Sequence, residues 1–204
     1  MKNNAQSEIR EMELDADILA SPFKVQTNWH VITGASSSGK TTLIDQLTNQ
    51  GYSTFPEVGR QYFERELAKG RTIAEIRQDR AAMTRAIYQL WLEFNQGLRT
   101  AEITFLDRGL PDALSFYRFA GMNPNKILPD CFQHRYASVF LLNRLPYQQD
   151  GIRGGDDTSA AYFDRWMERD YRALGYNIFR VPVLAPEERL VFILNELSDH
   201  GMLG

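Results

Sequence analysis

Gly34-Ala-Ser-Ser-Ser-Gly-Lys-Thr41 is the stretch whose reading decides the fold. Its spacing is G-x-x-x-x-G-K-[ST], the phosphate-binding loop. In front of it, Trp29-His-Val-Ile-Thr33 reads as a short strand. Behind it, Lys40 to Gln50 reads as a helix that Gly51 closes. Glycines let such a loop curl until its N–H groups converge on phosphate oxygens, and the helix N-terminus adds partial positive charge. The motif therefore assigns Gly34, Ala35, Ser36, Ser37, Ser38, Gly39, Lys40, Thr41 and Thr42 to a nucleoside triphosphate. Lys40 is expected to reach the β- and γ-phosphates, and the Thr41 hydroxyl to ligate Mg²⁺, with ATP or GTP as co-substrate.

Further strands and helices follow outward from that loop. Tyr52–Phe55, Ile103–Asp107, Ser138–Leu142 and Tyr176–Pro182 read as four more strands, with helical patterns between them. Strands alternating with helices predict an α/β fold, a five-stranded parallel sheet covered on both faces. Thr72-Ile-Ala-Glu75 is a capping box. It is expected to open one long helix carrying Ile76, Met83, Ile87, Leu90, Trp91, Phe94 and Leu98 on a core-facing stripe. Pro111 and Pro186 suit helix first turns, and Gly121 and Gly175 suit helix ends. Residues 28–204 are expected to form one nucleotide-binding domain. Residues 1–27 read as a polar extension, loosely helical and docked or else partly disordered, with a partner-binding role left open.

At 204 residues, 43% hydrophobic and 24% charged, the composition is that of a globular domain. A net charge of −3 gives no reason to expect nucleic acid as the partner. No apolar run has the length of a membrane span, and the N-terminus lacks the pattern of a signal peptide. With Cys131 as its one cysteine, the chain suits a reducing compartment, and a cytoplasmic location is expected. The three histidines, His30, His134 and His200, show no metal-ligand spacing.

In open parallel sheets, ligands bind beyond the carboxyl ends of the strands. Asp107 ends the third strand and is placed to hold Mg²⁺ through water. Arg108 and Asp112 follow at once. Arg108 reads either as a substrate or phosphate contact or as the partner of Asp112. Glu57 and Arg60 follow the second strand. Glu57 is a candidate base for an acceptor hydroxyl, or a solvated carboxylate paired with Arg60. In Gln148–Thr158, glycines flank Arg153, which suits a mobile lid closing an arginine over the phosphates.

In their order, Gly34–Thr41, Glu57-Val-Gly-Arg60, Leu106-Asp-Arg-Gly-Leu-Pro-Asp112, Asp150-Gly-Ile-Arg153, and Gly175-Tyr176 with Val181-Pro182 resemble the AAA-type family of small P-loop ATPases and kinases. The layout is also similar to the ribosylnicotinamide kinase domain and to deoxynucleoside kinases, over roughly residues 28–200. Gly109 stands where deoxynucleoside kinases usually carry serine. The resemblance implies a kinase fold with a lid, Glu57 as a catalytic or substrate-binding acid and Arg153 as a lid residue. The leading expectation is an ATP-dependent small-molecule kinase. Lys40, Glu57, Asp107 and Arg153 would be catalytic, and Glu57, Arg60, Arg108 and Asp112 would face a nucleoside-like or other small acceptor. The second reading is an ATP- or GTP-binding NTPase or switch that acts through a protein partner. The guanine-reading Asn-Lys-x-Asp is lacking, since Asn125-Lys-Ile-Leu128 has no aspartate. A mechanochemical ATPase fits least, because Asp107 is followed by arginine.

Overall fold

A computed structural model of the chain describes residues 8–145 and 156–202. Residues 25–26 form β1, Trp29–Thr33 β2 and Ser53–Phe55 β3, followed by Thr104–Asp107 (β4), His134–Arg135 (β5), Ser138–Leu142 (β6) and Ile178–Val181 (β7). The main sheet is five-stranded and parallel in the order β3-β4-β2-β6-β7. A separate two-residue parallel pair joins β1 to β5. From β2 the chain first builds the β4 side of the sheet and later the β6 side. A topological switch point therefore opens beyond the carboxyl end of β2, where such sheets bind ligands.

The helices are Ala16–Leu19 (α1), Lys40–Asn49 (α2), Val58–Ala68 (α3), Ile73–Gln78 (α4), Arg80–Gly97 (α5), Asp112–Phe119 (α6), Asp157–Ala173 (α7) and Pro186–Asp199 (α8). Strands β2, β4 and β6 are buried along their whole length, as inner strands of a sheet covered on both faces must be. Alternate residues feed two cores. Trp29, Val31, Leu106 and Val139 face one side with α5, α6 and α7 residues such as Tyr88, Leu114 and Tyr171. Ile32, Phe105 and Phe140 face the other, where Leu43 and Leu47 of α2 and Ile193 and Leu197 of α8 close over them. None of the described helices is long and apolar enough to cross a membrane.

The single long helix expected after Thr72 is two helices. The capping box forms as read, with Thr72 and Glu75 bonded reciprocally. The backbone then leaves the helical region at Asp79 (φ −108°, ψ 87°), whose carboxylate caps α5 by accepting from Ala82 N at 2.8 Å. Ile76 and Met83 lie seven residues apart, close to two full turns, so the apolar stripe stays in phase across the break and hides it. That stripe is core: Ile76 and Trp91 are buried, and Ile87, Leu90, Phe94 and Leu98 pack against the first cluster.

Within the N-terminal extension, residues 8–27 lie on the body. Leu14, Ile18, Leu19 and Phe23 pack against the first core. Arg118, fully buried, donates from Nε to the Met12 carbonyl at 2.6 Å. Its two terminal nitrogens grip Asp170 at 2.6 and 2.8 Å, and its guanidinium lies 4.1 Å from the Trp166 ring centroid. Glu11 pairs with Arg165, and Glu13 with Arg169. The Asn125 side chain accepts from Asp15 N and donates to the Glu13 carbonyl.

Candidate nucleotide and acceptor site

Between β2 and α2 the chain makes the turn that the motif requires. Gly34 and Gly39 take left-handed φ angles of 144° and 91°, and Ser37 joins them at 61°. A methyl group at Gly34 would stand 3.0 Å from both the Leu142 carbonyl and Ser38 Oγ. Such alternation of backbone hand turns successive N–H groups inward, making a nest for anions. Ser36 to Thr42, with Glu57 and Arg108, line a cavity of about 100 Å³. Lys40 is buried, with Nζ donating to the carbonyls of Gly34 (3.1 Å) and Ala35 (2.8 Å) and to Ser38 Oγ (3.4 Å).

Glu57 and Arg108 come from different strand ends, 51 residues apart, and meet at 3.0 Å (Oε1 to Nε). Arg108 also donates to the Gly34 carbonyl at 3.0 Å and to Asp112 Oδ2 at 3.3 Å. Arg108 therefore pairs with Asp112, one of the two readings left open for it, and it also lines the cavity. Arg108 holds a left-handed φ of 79°, a strained state for a residue with a Cβ, and its three contacts hold it there. Arg60 is exposed in the first turn of α3. Asp112 is fully buried and takes a 2.6 Å hydrogen bond from the Thr33 hydroxyl.

The cluster's electrostatics follow from burying four charged groups together, with Glu57 at their edge. Burial disfavours the carboxylate of Asp107 and raises its pKa to about 6, against the pull of Lys40. Burial and the nearby Arg108 lower Lys40 to about 8, although Asp107, Glu57 and Asp112 oppose the shift. Burial also disfavours the charge on Arg108, but Glu57, Asp112 and Asp107 outweigh it and hold the guanidinium pKa above its ordinary value. Asp107 Oδ1 is buried without a hydrogen-bond partner among the described residues, whereas Asp112 also faces the Tyr171 hydroxyl. An orphaned carboxylate oxygen is costly unless something else occupies it. Asp107 Oδ1, beside Lys40, and the Thr41 hydroxyl in the cradle are a donor set that fits Mg²⁺. Mg²⁺ takes one or two protein oxygens and leaves its other positions to phosphates and water. No cluster of three or more His, Cys, Asp or Glu side chains suited to a metal occurs among the described residues, and this mode of binding does not need one.

Three supporting residues act through long-range contacts. Arg189 of α8 is buried and donates from Nη1 to the Ser38 carbonyl at 2.6 Å, backing the loop from outside the cradle. Thr33 fixes Asp112. Gly109 lacks a side chain because one would collide: a Cβ there would stand 2.5 Å from the buried Tyr171 hydroxyl and 3.0 Å from Tyr136. Arg144, just after β6, pairs with Asp157 at the start of α7. Arg153 lies outside the described residues. Cys131 and His30 are buried in the body, and His30 Nδ1 bonds Ser138 Oγ at 2.8 Å.

A family model described as an AAA domain matches residues 29–189. No curated protein matches the chain. Among solved structures, the NadR protein in complex with NR is similar with a TM-score of 0.62 at 15% identity, over 85% of this chain and 50% of that one. This chain therefore spans about half the length of NadR. Deoxyadenosine kinase from M. mycoides is similar with a TM-score of 0.54 at 15% identity, over 84% of this chain and 98% of that one. Shikimate kinase from Aquifex aeolicus gives 0.51 at 17% identity, over 86% and 99%. At these identities the likeness establishes a shared fold. Because the family match runs from the first residue of β2 through the phosphate cradle and the Glu57–Arg108 pair to Arg189, this chain belongs to the AAA domain family.

Proposed function

We propose that the protein is an ATP-dependent small-molecule kinase that passes a γ-phosphate to an acceptor hydroxyl. The observation that carries the reading is the position of Glu57, which lines the phosphate cavity opposite Lys40 and is held there by Arg108. A simple phosphate-binding loop needs no such carboxylate, whereas an acceptor hydroxyl needs a group to orient it and take its proton. Deoxyadenosine kinase and shikimate kinase, both similar in fold, support the same class. A reducing, cytoplasmic setting fits the single buried cysteine.

In this mechanism the loop N–H groups and Lys40 hold the triphosphate, and Glu57 accepts the acceptor's proton as the new O–P bond forms and the β–γ bridge breaks. Arg108 offsets charge on the transferring group. Thr41 and Asp107 would hold Mg²⁺, which neutralises phosphate charge. The acceptor binds between α3 and α6, toward Arg60, Arg108 and Asp112, and Arg153 belongs to a lid that excludes water. Catalysis by such a site is mostly positioning and charge stabilisation.

Glu57→Gln tests the assignment. The variant should bind Mg-ATP as tightly as the parent in a calorimetric titration and turn over about 10²-fold more slowly. Full turnover would remove Glu57 as the base.

A further inference from the structure

Helix α6 carries a wall of half-buried aromatic rings leading away from the phosphate cradle. The Arg108 guanidinium lies 5.5 Å from the Phe116 ring centroid. Phe116 packs on Phe163 of α7 at 4.8 Å, and Phe163 on Phe119 at 4.8 Å. Phe116 and Phe119 are three residues apart on one helix, so the second ring stands about one turn, roughly 5 Å, beyond the first. Two arginines end this wall. Arg10 from the N-terminal extension and Arg80 from the start of α5 each place the guanidinium 4.7 Å from the centroid of the same Phe119 ring.

Their neighbours are neutralised. On the same face, Arg118 meets Asp170, Arg165 meets Glu11 and Arg169 meets Glu13. Neither Arg10 nor Arg80 has a carboxylate partner among the described residues, although both are exposed and free to reach one. An exposed cation–π contact is worth about 0.5–1 kcal/mol, little reward for gathering two like charges on one ring. Arg80 is also the first residue of α5, where the helix dipole disfavours a cation. The Tyr162 hydroxyl donates to the Arg10 carbonyl at 2.8 Å and fixes the extension in place.

We propose that Arg10 and Arg80, converging on Phe119, form an oxyanion subsite that receives a phosphate or carboxylate group borne by the acceptor. The inference rests on the kinase reading for its placement beside the acceptor. Two guanidinium groups fork onto such a group, and the aromatic wall carries the ligand's body from the subsite to Glu57. The acceptor class is thereby narrowed to small molecules with a hydroxyl at one end and an anion at the other. The extension is a part of the acceptor site.

The test is a binding titration, so it does not depend on turnover. The full chain is first saturated with Mg²⁺ and the non-hydrolysable AMP-PNP, which denies the cradle to other anions. Ribose, ribose 5-phosphate and ribonate are then titrated by calorimetry. Both anions should bind at least tenfold more tightly than ribose if the subsite accepts any oxyanion, and ribose 5-phosphate alone if it requires phosphate. Arg10→Gln and Arg80→Gln should each weaken the preference, and the double variant should abolish it without lowering Tm or AMP-PNP affinity. Equal affinity for all three ligands, or a preference that survives in the double variant, would overturn the subsite. Preserved anion binding without acceptor-dependent turnover would remove the kinase reading alone. Turnover with neutral acceptors and no anion preference would remove the subsite alone.

Discussion

Helix α6 has a buried charge cluster at each end, and the two are built differently. At its C-terminal end all three Arg118 nitrogens are bonded, the two terminal ones to Asp170 and Nε to the Met12 carbonyl, with the Trp166 ring against the guanidinium. At its N-terminal end Arg108, Asp107 and Asp112 are as deeply buried, with Lys40 beside them and Glu57 at the rim. There the Asp107 Oδ1 oxygen has no hydrogen-bond partner among the described residues, and one arginine is held in a left-handed conformation. Buried charge that serves the fold is fully paired, because an unpaired buried group costs several kcal/mol. Buried charge with oxygen to spare and a strained backbone is what the proposed ligand site has instead.

That contrast can be broken at either end. The largest expected effect is on stability at the paired end. Asp170→Asn leaves the Arg118 charge uncompensated and should cost about 3–5 kcal/mol in urea unfolding, with kcat unchanged in the folded fraction. A cost below about 1 kcal/mol would show that the pair is not structural. At the other end, Lys40→Ala should reduce turnover by about 10²–10³-fold while leaving the unfolding midpoint of the nucleotide-free protein nearly in place. Unchanged thermal shifts with Mg-ATP and Mg-GTP in that variant would remove the loop assignment.

Smaller effects sharpen the comparison. Gly109→Ala should cost about 1–3 kcal/mol by driving a methyl group against the Tyr171 hydroxyl. Tyr171→Phe should recover part of that loss in the double variant, and strict additivity of the two changes would reject the collision. The smallest effect is a pH profile. Asp107 titrates near 6 and must be ionised to serve a cation, so Mg-ATP affinity should fall as pH drops through 6, by up to tenfold per unit. Lys40 loses its proton near 8, so affinity should fall again above that value. Asp107→Asn should flatten the acid limb, and a limb that persists belongs to another group.

How much was legible in the sequence follows the range of the interactions. The cradle and the five strands are local patterns, with short apolar runs, glycines at fixed offsets and helix punctuation, and each could be read from a window of a dozen residues. The site's internal wiring is not local. Glu57 and Arg108 are 51 residues apart, so nothing near Glu57 names Arg108 as its partner. Gly109 differs from the deoxynucleoside-kinase pattern as a departure in sequence, yet its cause is a tyrosine 62 residues away. Arg189 is hidden for the same reason, as one arginine among many until α8 folds it against the loop. The break at Asp79 was masked by the opposite effect, a local pattern so regular that it continued across the discontinuity.

The measurement that bears most directly on the account is nucleoside diphosphate release from Mg-ATP and Mg-GTP, alone and with a panel of nucleosides, sugars and their phosphorylated and carboxylated forms, with products identified by mass spectrometry. A kinase predicts slow release alone and a jump with one acceptor, accompanied by a product heavier by one phosphate. Release that no acceptor changes, with intact acceptors recovered, would contradict the account and leave an NTPase or a switch acting on a protein partner.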